Sequence, residues 1–301
     1  MKQKIKNLWE LLKATTKTWW SRDPFKRSAI IAYYAIFSIP GLLVLIITIA
    51  GYFYGQEVAS RTILEEVTET MGADTARQMQ GMFENAAKSK SNVWTSIMGI
   101  GILLIGATGV FVALQQMLNE IWQVKPAPKK GIIKLLRARL FSFGLILAIA
   151  FLLLISLAVS TALSALGNWI KSDTSEFVSV ILSIINFVIS LGIISLLFAA
   201  MFKILPDAKI KWKHVWLGSL LTGILFTIGK TALGFYFGKA DPASGYGAAG
   251  SIILILLWVS YSSMIMFFGA EFTAAYAREH AGKIPPSDFA VKDKDAKPPV
   301  V

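Results

Sequence analysis

Residues 251–270 read SIILILLWVSYSSMIMFFGA, and none of these positions carries a charged side chain. A helix of about 20 mostly apolar residues is long enough to cross the roughly 30 Å hydrocarbon core of a bilayer. The run also lacks the alternation of polar and apolar residues that is typical of an outer-membrane barrel strand. It therefore predicts a transmembrane helix, since a helix satisfies its backbone hydrogen bonds within the lipid.

The whole chain has the composition of a membrane protein. Of its 301 residues 55% are hydrophobic and 16% are charged, with a mean hydropathy of +0.59, whereas soluble domains carry about 25% charged residues. Cysteine is absent, and the two histidines are His214 and His280. This excludes disulfides, thiolate metal sites, cysteine nucleophiles and a multi-histidine zinc centre. We therefore expect no metal, no cofactor and no catalytic residue set.

Five further apolar runs resemble the first. The six predicted spans are 28–54, 91–118, 140–170, 177–202, 214–238 and 243–270. The fifth span is the one that contains an ionised residue, Lys230. The expected fold is an all-α integral membrane protein, a six-transmembrane-helix bundle formed by residues 28–272.

Lysine and arginine are concentrated in alternate connections. Residues 1–27 hold eight of them, 120–139 six, 203–213 four and the segment after residue 270 five, against four in the connection 56–90. Because positively charged loops stay in the cytoplasm, both termini are predicted to be cytoplasmic. The net charge of +12 then reflects topology and attraction to anionic lipids, and no nucleic-acid partner is expected.

Three segments outside the spans have a character of their own. Residues 1–27 alternate lysines with apolar residues at helical spacing, which predicts a basic amphipathic helix, lying either in the headgroup layer or packed under the bundle. The outer connection 57–90 is slightly acidic, and it is expected to be helical and to contact an envelope protein partner. Residues 273–301 are charged and contain prolines, which predicts a disordered cytoplasmic tail.

Residues 245–250, GYGAAG, match the spacing of the dinucleotide-binding fingerprint. That fingerprint needs a preceding strand, but here a turn precedes it and an apolar span follows. Glu271 lies 21 residues after Gly250, which is about 30 Å along a helix, so it cannot hold the ribose. The glycines either pack helices closely or form a broken start to the sixth span that holds an anionic headgroup.

Four stretches resemble the YihY/BrkB family of bacterial envelope proteins, once labelled ribonuclease BN-like. They are AIIAYYAIFSIPGLL (29–43), ALQQMLNEIW (113–122), LPDAKIKWKHVWLGS (205–219) and YGAAGSIILILLWVSYSSMIMFFGAEF (246–272). The resemblance implies a six-helix inner-membrane bundle, in agreement with the span count, and implies much less about activity.

Two sets of candidate residues follow from the resemblance and from the physics of charges in lipid. The expected substrate-binding or coupling residues are Lys230, Tyr246, Gly247, Glu271, Tyr33 and Asn119. The expected hinge or packing residues are Pro40, Gly106, Gly109, Gly234, Gly238, Trp258 and Tyr261.

Lys230 carries the strongest of these signals, because a charge at the bilayer centre costs at least roughly 2.5 kcal/mol. Lys230 either faces the bundle interior and holds an anionic group, or extends to the outer headgroups. Glu271 is expected at the opposite side of the membrane, too distant to pair with Lys230. We expect it to form an ion pair with a basic inner residue such as Arg137, Arg139 or Lys211.

Three functions are compatible with the sequence. A transporter or flippase-like protein for an amphiphilic envelope component fits best, since the spans hold too few polar groups for a wide aqueous path. A scaffold protein that maintains envelope integrity is the alternative. A ribonuclease fits least, because Glu120, Asp207 and Glu279 show no spacing typical of a metal pair.

Overall fold

The computed structural model describes residues 2–71, six positions between 73 and 81, 108–127, 176–240, 242, 244–282, 284–288, 290–293 and 295. These residues are almost entirely helical. The helices are α1 (Lys2–Ser21), α2 (Pro24–Tyr54), α3 (Gln56–Met71), α4 (108–121), α5 (Glu176–Ile204), α6 (Trp212–Ala240) and α7 (Gly250–Ala281). Two short strands, β1 (Val124–Pro126) and β2 (Ala290–Lys292), and a 3-10 turn, Ser244–Ala249, complete the described elements.

Three helices within the described part of the chain are long and apolar enough to cross a membrane: Ser183–Ile204, Trp212–Ala240 and Ile252–His280. They correspond to the fourth, fifth and sixth predicted spans. The first predicted span, 28–54, lies within α2, which runs unbroken through Pro40. The third, 140–170, and most of the second, 91–118, lie outside the described residues, so the count of six stays a prediction.

The last helix, α7, is the centre of the packing. It contacts α1, α2, α3, α5 and α6, and α6 also packs against α5. Around α7 the side chains of Leu118, Ile121, Phe202, Val215 and Phe272 are almost completely buried. The opposite sides of α5 and α6 expose large apolar residues, including Phe187, Ile228 and Phe235, as helices that face lipid do.

Small residues set the close approach of α6 and α7. A side chain added at Gly218 would collide with Thr273, and one added at Gly269 would collide with Thr222. Each threonine Oγ1 donates a hydrogen bond of 2.6 Å to the carbonyl of the glycine four residues before it in its own helix. From Gly218 to Thr222 along α6, the contacting residue on α7 goes back from Thr273 to Gly269. The two helices are therefore antiparallel, and we call this pairing the reciprocal Gly–Thr contact.

The C-terminal segment differs from the disordered tail expected for residues 273–301. Helix α7 continues to Ala281 and ends at Gly282, whose φ of 68° suits glycine. Beyond it, β2 pairs antiparallel with β1, and Ala208 pairs with Pro286. This pairing joins the tail by backbone hydrogen bonds to residues 124–126 and 208–209. The tail is therefore held against the end of the bundle.

Helix α1 packs against the bundle on one side, and its placement in the headgroup layer stays a prediction. Thr15 and Thr18 are buried, and Trp19 packs edge-on against Phe268, with its indole Nε1 donating a 3.2 Å hydrogen bond to the Met264 carbonyl. On the other side Trp9 and Trp20 are exposed. One face of α1 therefore contacts α7, while the other is free of the described part of the bundle.

Candidate functional site: a buried charge network

A buried ion pair joins the start of the chain to its last helix. Arg22 Nε lies 3.1 Å from Glu271 Oε1, and only 2% and 3% of the two side chains are exposed. Arg22 lies at the corner between α1 and α2, where Asp23 adopts a left-handed conformation (φ 51°) that aspartate tolerates better than most residues. The corner ends α1 and places Arg22 against α7.

A second pair and a helix-to-backbone contact extend this site. Arg27 of α2 forms an ion pair with Glu120 of α4 and also donates to the backbone carbonyl of Arg22 at 2.6 Å. Arg278, two turns beyond Glu271 on α7, donates to the carbonyl of Ile121 at 2.6 Å. The α1–α2 corner, the end of α4 and the end of α7 are thus linked by charged side chains.

A double hydrogen bond connects α4 to the loop between α5 and α6. Asn119 Nδ2 donates to Asp207 Oδ2 at 2.9 Å, and the Asp207 backbone N–H donates to Asn119 Oδ1 at 2.7 Å. Gln115 lies at 3.4 Å from the other carboxylate oxygen. Asp207 also accepts the backbone N–H of Ser287 at its carbonyl, at 2.8 Å, so the loop between α5 and α6 is fixed on both sides.

We call these residues the buried charge network: Arg22, Arg27, Asn119, Glu120, Asp207, Glu271 and Arg278. Its three arginines and three carboxylates balance in formal charge, and two of the arginines form ion pairs with glutamates. Arg22, Asn119 and Glu271 are buried, and the other four residues are half-buried. Burying an ion costs several kcal/mol, which is offset only by close partners and further hydrogen bonds. The network can therefore hold four chain segments in one arrangement, and the loss of one charge of the Arg22–Glu271 pair would leave the other in an apolar setting.

The network contains two of the six expected binding residues, Glu271 and Asn119. Glu271 was expected to pair with a basic residue such as Arg137, Arg139 or Lys211, and among the described residues its basic partner is Arg22. Lys211 is exposed, and the other two lie outside the described residues. Arg22 was not foreseen because it precedes the first span and reads in the sequence as one more basic residue of a surface segment.

Lys230 lies elsewhere, in the C-terminal half of α6. Its neighbour Gly229 packs directly against the Tyr261 ring of α7, where an added Cβ would lie 2.6 Å from the ring. Lys230 is consequently at the rim of the α6–α7 contact and is half-buried. Tyr261 is ten residues from Glu271, which is about 15 Å along α7, so Lys230 and Glu271 occupy different levels of the bundle.

The remaining expected binding residues do not join either group. Tyr246 is 60% exposed on the 3-10 turn, which also includes Gly247. Tyr33 is 60% exposed on α2, where its ring contacts those of Tyr34 and Phe37. The GYGAAG stretch is thus a short turn before α7, and the described element directly before it is the helix α6 and not a strand.

The expected packing residues give a mixed result. Tyr34 covers Gly109, and Trp258 packs edge-on against Phe226 at 6.2 Å, as contacts between helices. Gly238 has open space within 4 Å of an added Cβ among the described residues, so it does not make the close approach that its spacing with Gly234 predicted. Gly106 lies outside the described residues.

Comparison with known proteins agrees with this description. The family model named Virulence factor BrkB matches residues 15–292. A UPF0761 membrane protein of Tolumonas auensis is 25% identical over 260 residues, which cover 86% of this chain and 82% of the relative. A UPF0761 membrane protein of Alcanivorax borkumensis is 24% identical over 265 residues, covering 86% of this chain and 58% of the relative.

Other relatives are matched over a smaller part of their length. A UPF0761 membrane protein of Pseudomonas paraeruginosa is 29% identical over 174 residues, 57% of this chain and 40% of the relative. The chain thus spans less than half of that protein. No solved structure matches. The family match begins within α1 and ends at β2, so it includes every part of the buried charge network, and the chain belongs to the BrkB family of membrane proteins.

Proposed function

We propose that the protein is a non-enzymatic transporter or flippase-like protein for an amphiphilic envelope component in the bacterial inner membrane. The observation that carries the proposal is the position of Lys230, a half-buried cation at the rim of the α6–α7 contact within an apolar span. Ionisable residues within a membrane span are costly and mark functional sites.

The surroundings of Lys230 favour an amphiphile as substrate. Ile228 and Phe235, which flank it on α6, are exposed by 61% and 64%, and they offer an apolar surface continuous with lipid. An anionic headgroup could meet the lysine while its acyl chains stay in the bilayer. The buried hydroxyls of Thr222 and Thr273 on α6 and α7 bond to carbonyls of their own helices, which leaves them poorly suited to line a path for ions or sugars.

The buried charge network adds a second part to this proposal. It lies about 15 Å along α7 from the level of Lys230 and joins the segments whose basic loops are predicted to be cytoplasmic. We propose that it closes this end of the bundle while the headgroup is held at Lys230. Movement of the substrate would then require these charge pairs to separate or shift as a unit.

A proteoliposome assay tests the function. Vesicles contain a phospholipid with a fluorescent headgroup, and a membrane-impermeant quencher is added outside. The wild type is expected to allow quenching beyond the outer-leaflet pool, Lys230→Ala to abolish the excess, and Lys230→Arg to retain it. Lys239→Ala is the matched control, because Lys239 is exposed near the end of the same helix and lies 4.6 Å from the Phe235 ring.

The outcomes are distinct. If wild-type vesicles quench no more than empty ones, phospholipid movement under these conditions is excluded. If Lys230→Ala and Lys239→Ala behave alike, the site at Lys230 is wrong even where the protein is active.

The alternative function is that of an envelope scaffold. It is favoured by α3, whose Ala59 and Val67 are buried against the bundle while Glu57 and Glu65 remain exposed. Because α3 is part of the packing, charge reversal is a better test than deletion. A partner that co-purifies with the wild type and is lost from Glu57→Lys plus Glu65→Lys, with proteoliposome activity absent, would replace the transport proposal.

A further inference from the structure

Helix α1 has a face that the described part of the bundle leaves uncovered. Its buried side consists of Thr15, Thr18 and the part of Trp19 that meets α7. On the opposite side Trp9 and Trp20 are exposed by 56% and 62%. Such large exposed aromatic rings are costly in water, and tryptophan is enriched at the boundary between lipid and water.

This uncovered face forms a groove of about 460 Å³, which we call the α1 groove. Its lining consists of Trp9, Leu12, Lys13, Thr16, Lys17 and Trp20. These positions are three or four residues apart and so lie on one side of the helix. The two exposed lysines lie one turn apart in the middle of the groove, with a tryptophan at each end, and the Lys13 Nζ lies 5.2 Å from the centre of the Trp9 ring.

Helix α1 is attached to a helix that is long and apolar enough to cross a membrane. Trp19 contacts Met264 and Phe268, which both belong to the candidate span Ile252–His280. The Arg22–Glu271 pair fixes the adjacent corner of the chain on the same helix. An amphiphile in the surface layer around this span would therefore be within reach of the side of α1 that points away from α7.

We propose that the α1 groove binds one anionic phospholipid, with its phosphodiester between Lys13 and Lys17 and its acyl chains along Trp9, Leu12 and Trp20. Residues four apart on a helix have Cβ atoms about 5–6 Å from each other, so both ammonium groups can reach one phosphate. The charge of the lysines complements the headgroup, and the aromatic and aliphatic lining complements the chains. This site goes beyond the proposed function, because its lipid remains bound and no transport is required.

Native mass spectrometry of the purified full chain tests the proposal. The probes are dioleoylphosphatidylglycerol, which is anionic, and dioleoylphosphatidylcholine, which has the same chains and no net charge. We expect the wild type to retain phosphatidylglycerol preferentially and Lys13→Gln plus Lys17→Gln to bind it about tenfold to thirtyfold more weakly. The control is Lys211→Gln plus Lys213→Gln, which removes the same charge from two exposed lysines and should change binding little.

A second variant examines the apolar part of the groove. Trp9→Leu plus Trp20→Leu leaves both lysines in place and should reduce the retention of both lipids. The proposal is overturned if the wild type shows no preference for phosphatidylglycerol, or if the two double lysine variants lose it to the same extent. Since the assay measures binding alone, its result is independent of the outcome of the transport assay.

Discussion

Arg22 and Glu271 come from opposite ends of the sequence, yet they form the most deeply buried ion pair among the described residues. A buried pair contributes little net stability over a well-packed apolar pair, because both ions lose their hydration. Removing only one of the two charges lowers the stability strongly, since the remaining charge stays in an apolar setting. The pair therefore specifies one placement of the α1–α2 corner on α7.

Glu271→Gln is expected to lower the free energy of unfolding by about 3–5 kcal/mol, because Arg22 loses its carboxylate partner. The measurement is unfolding in mixed micelles. The matched control is Glu65→Gln in the exposed Arg61–Glu65 pair, where the side chains are 73% and 64% exposed, and less than about 1 kcal/mol is expected. Equal effects of the two substitutions would show that the buried pair has no special role.

The double variant Arg22→Met plus Glu271→Leu follows from the same reasoning. Replacing both charges by apolar groups removes the desolvation cost together with the attraction, so most of the stability lost in Glu271→Gln should return. If the double variant is as unstable as the single one, hydrogen bonds or packing at Arg22 matter more than its charge. The same mixed-micelle unfolding experiment decides this.

At the scale of the elements, the close packing of α6 and α7 through the reciprocal Gly–Thr contact can be tested by replacing glycines. Replacing glycine by alanine inside a helix raises the free energy of unfolding by about 1 kcal/mol where space allows. At Gly238 the space is open, so Gly238→Ala should be neutral or stabilising. At Gly269 the new methyl group meets Thr222, so Gly269→Ala should destabilise the protein by about 1–3 kcal/mol. Thermal unfolding in detergent would contradict this if both variants shifted in the same direction.

The β1–β2 pair is held by exposed charges at its open end. Lys125 Nζ lies 2.9 Å from Asp293 and 2.7 Å from Asp295. Hydrogen bonds to Asp295 and Asp293 raise the pKa of Lys125 above its ordinary 10.5, and the hydrogen bond from Lys125 lowers the pKa of Asp293 below its ordinary 3.8. The charges of Lys125 and Asp293 are therefore both present at neutral pH.

The sign of each shift gives the expected pH dependence. The contribution of Asp293 is complete above 3.8 and is lost as the pH falls through its lower folded pKa. The contribution of Lys125 is complete below 10.5 and is lost as the pH rises through its higher folded pKa. Docking of the tail should therefore be constant between about pH 5 and 9.

Hydrogen exchange of residues 284–293 at neutral pH measures this docking. Lys125→Met should make the amides of β2 exchange faster, because both aspartate contacts are lost. Lys292→Met removes a charge from the exposed face of the same strand and should leave exchange nearly unchanged. If the two variants exchange alike, backbone pairing alone holds the strand.

For the whole molecule, the contacts place several distant segments at one end of the bundle. Arg27 meets Glu120, Asn119 meets Asp207, and β1 meets β2. These are the same segments in which the sequence concentrates lysine and arginine. Their grouping at one end is the arrangement that a single cytoplasmic face requires.

The side of the membrane on which this end lies can be tested with introduced cysteines, since the chain has none of its own. Glu57→Cys on α3 is expected to react in intact cells with a maleimide that cannot cross the membrane. Lys292→Cys on β2 should react only after permeabilisation. The reverse pattern would invert the predicted topology, and reaction of both in intact cells would exclude a membrane between them.

Much of the architecture could be predicted because hydrophobic length and charge are local properties. The apolar runs 177–202 and 214–238 lie within α5 and α6, which differ from them by two residues or fewer at each end. The run 243–270 fits less well, because a 3-10 turn occupies its start and α7 continues to Ala281. A hydropathy pattern does not predict that extension, because the polar end of α7 is stabilised by contacts with other segments.

The candidate site was harder to predict. Intramembrane charge singled out Lys230, and the resemblance added Glu271 and Asn119, but the partners of Glu271 and Asn119 come from distant segments. Nothing near Glu271 in the sequence indicates Arg22, and nothing near Asn119 indicates Asp207. Such pairs depend on how helices cross, which periodicity along one helix does not report.

The sequence by itself determined that this is a helical membrane protein, where its apolar spans lie and which connections carry positive charge, because each depends on a short stretch of chain and its solvent. The tertiary structure alone decided that Arg22 pairs with Glu271, that Gly218 and Gly269 each pack against a threonine of the facing helix, and that the tail forms a strand against β1. These features require surfaces from distant segments to meet at atomic distance, and their energy arises from burial that exists only after the helices have packed.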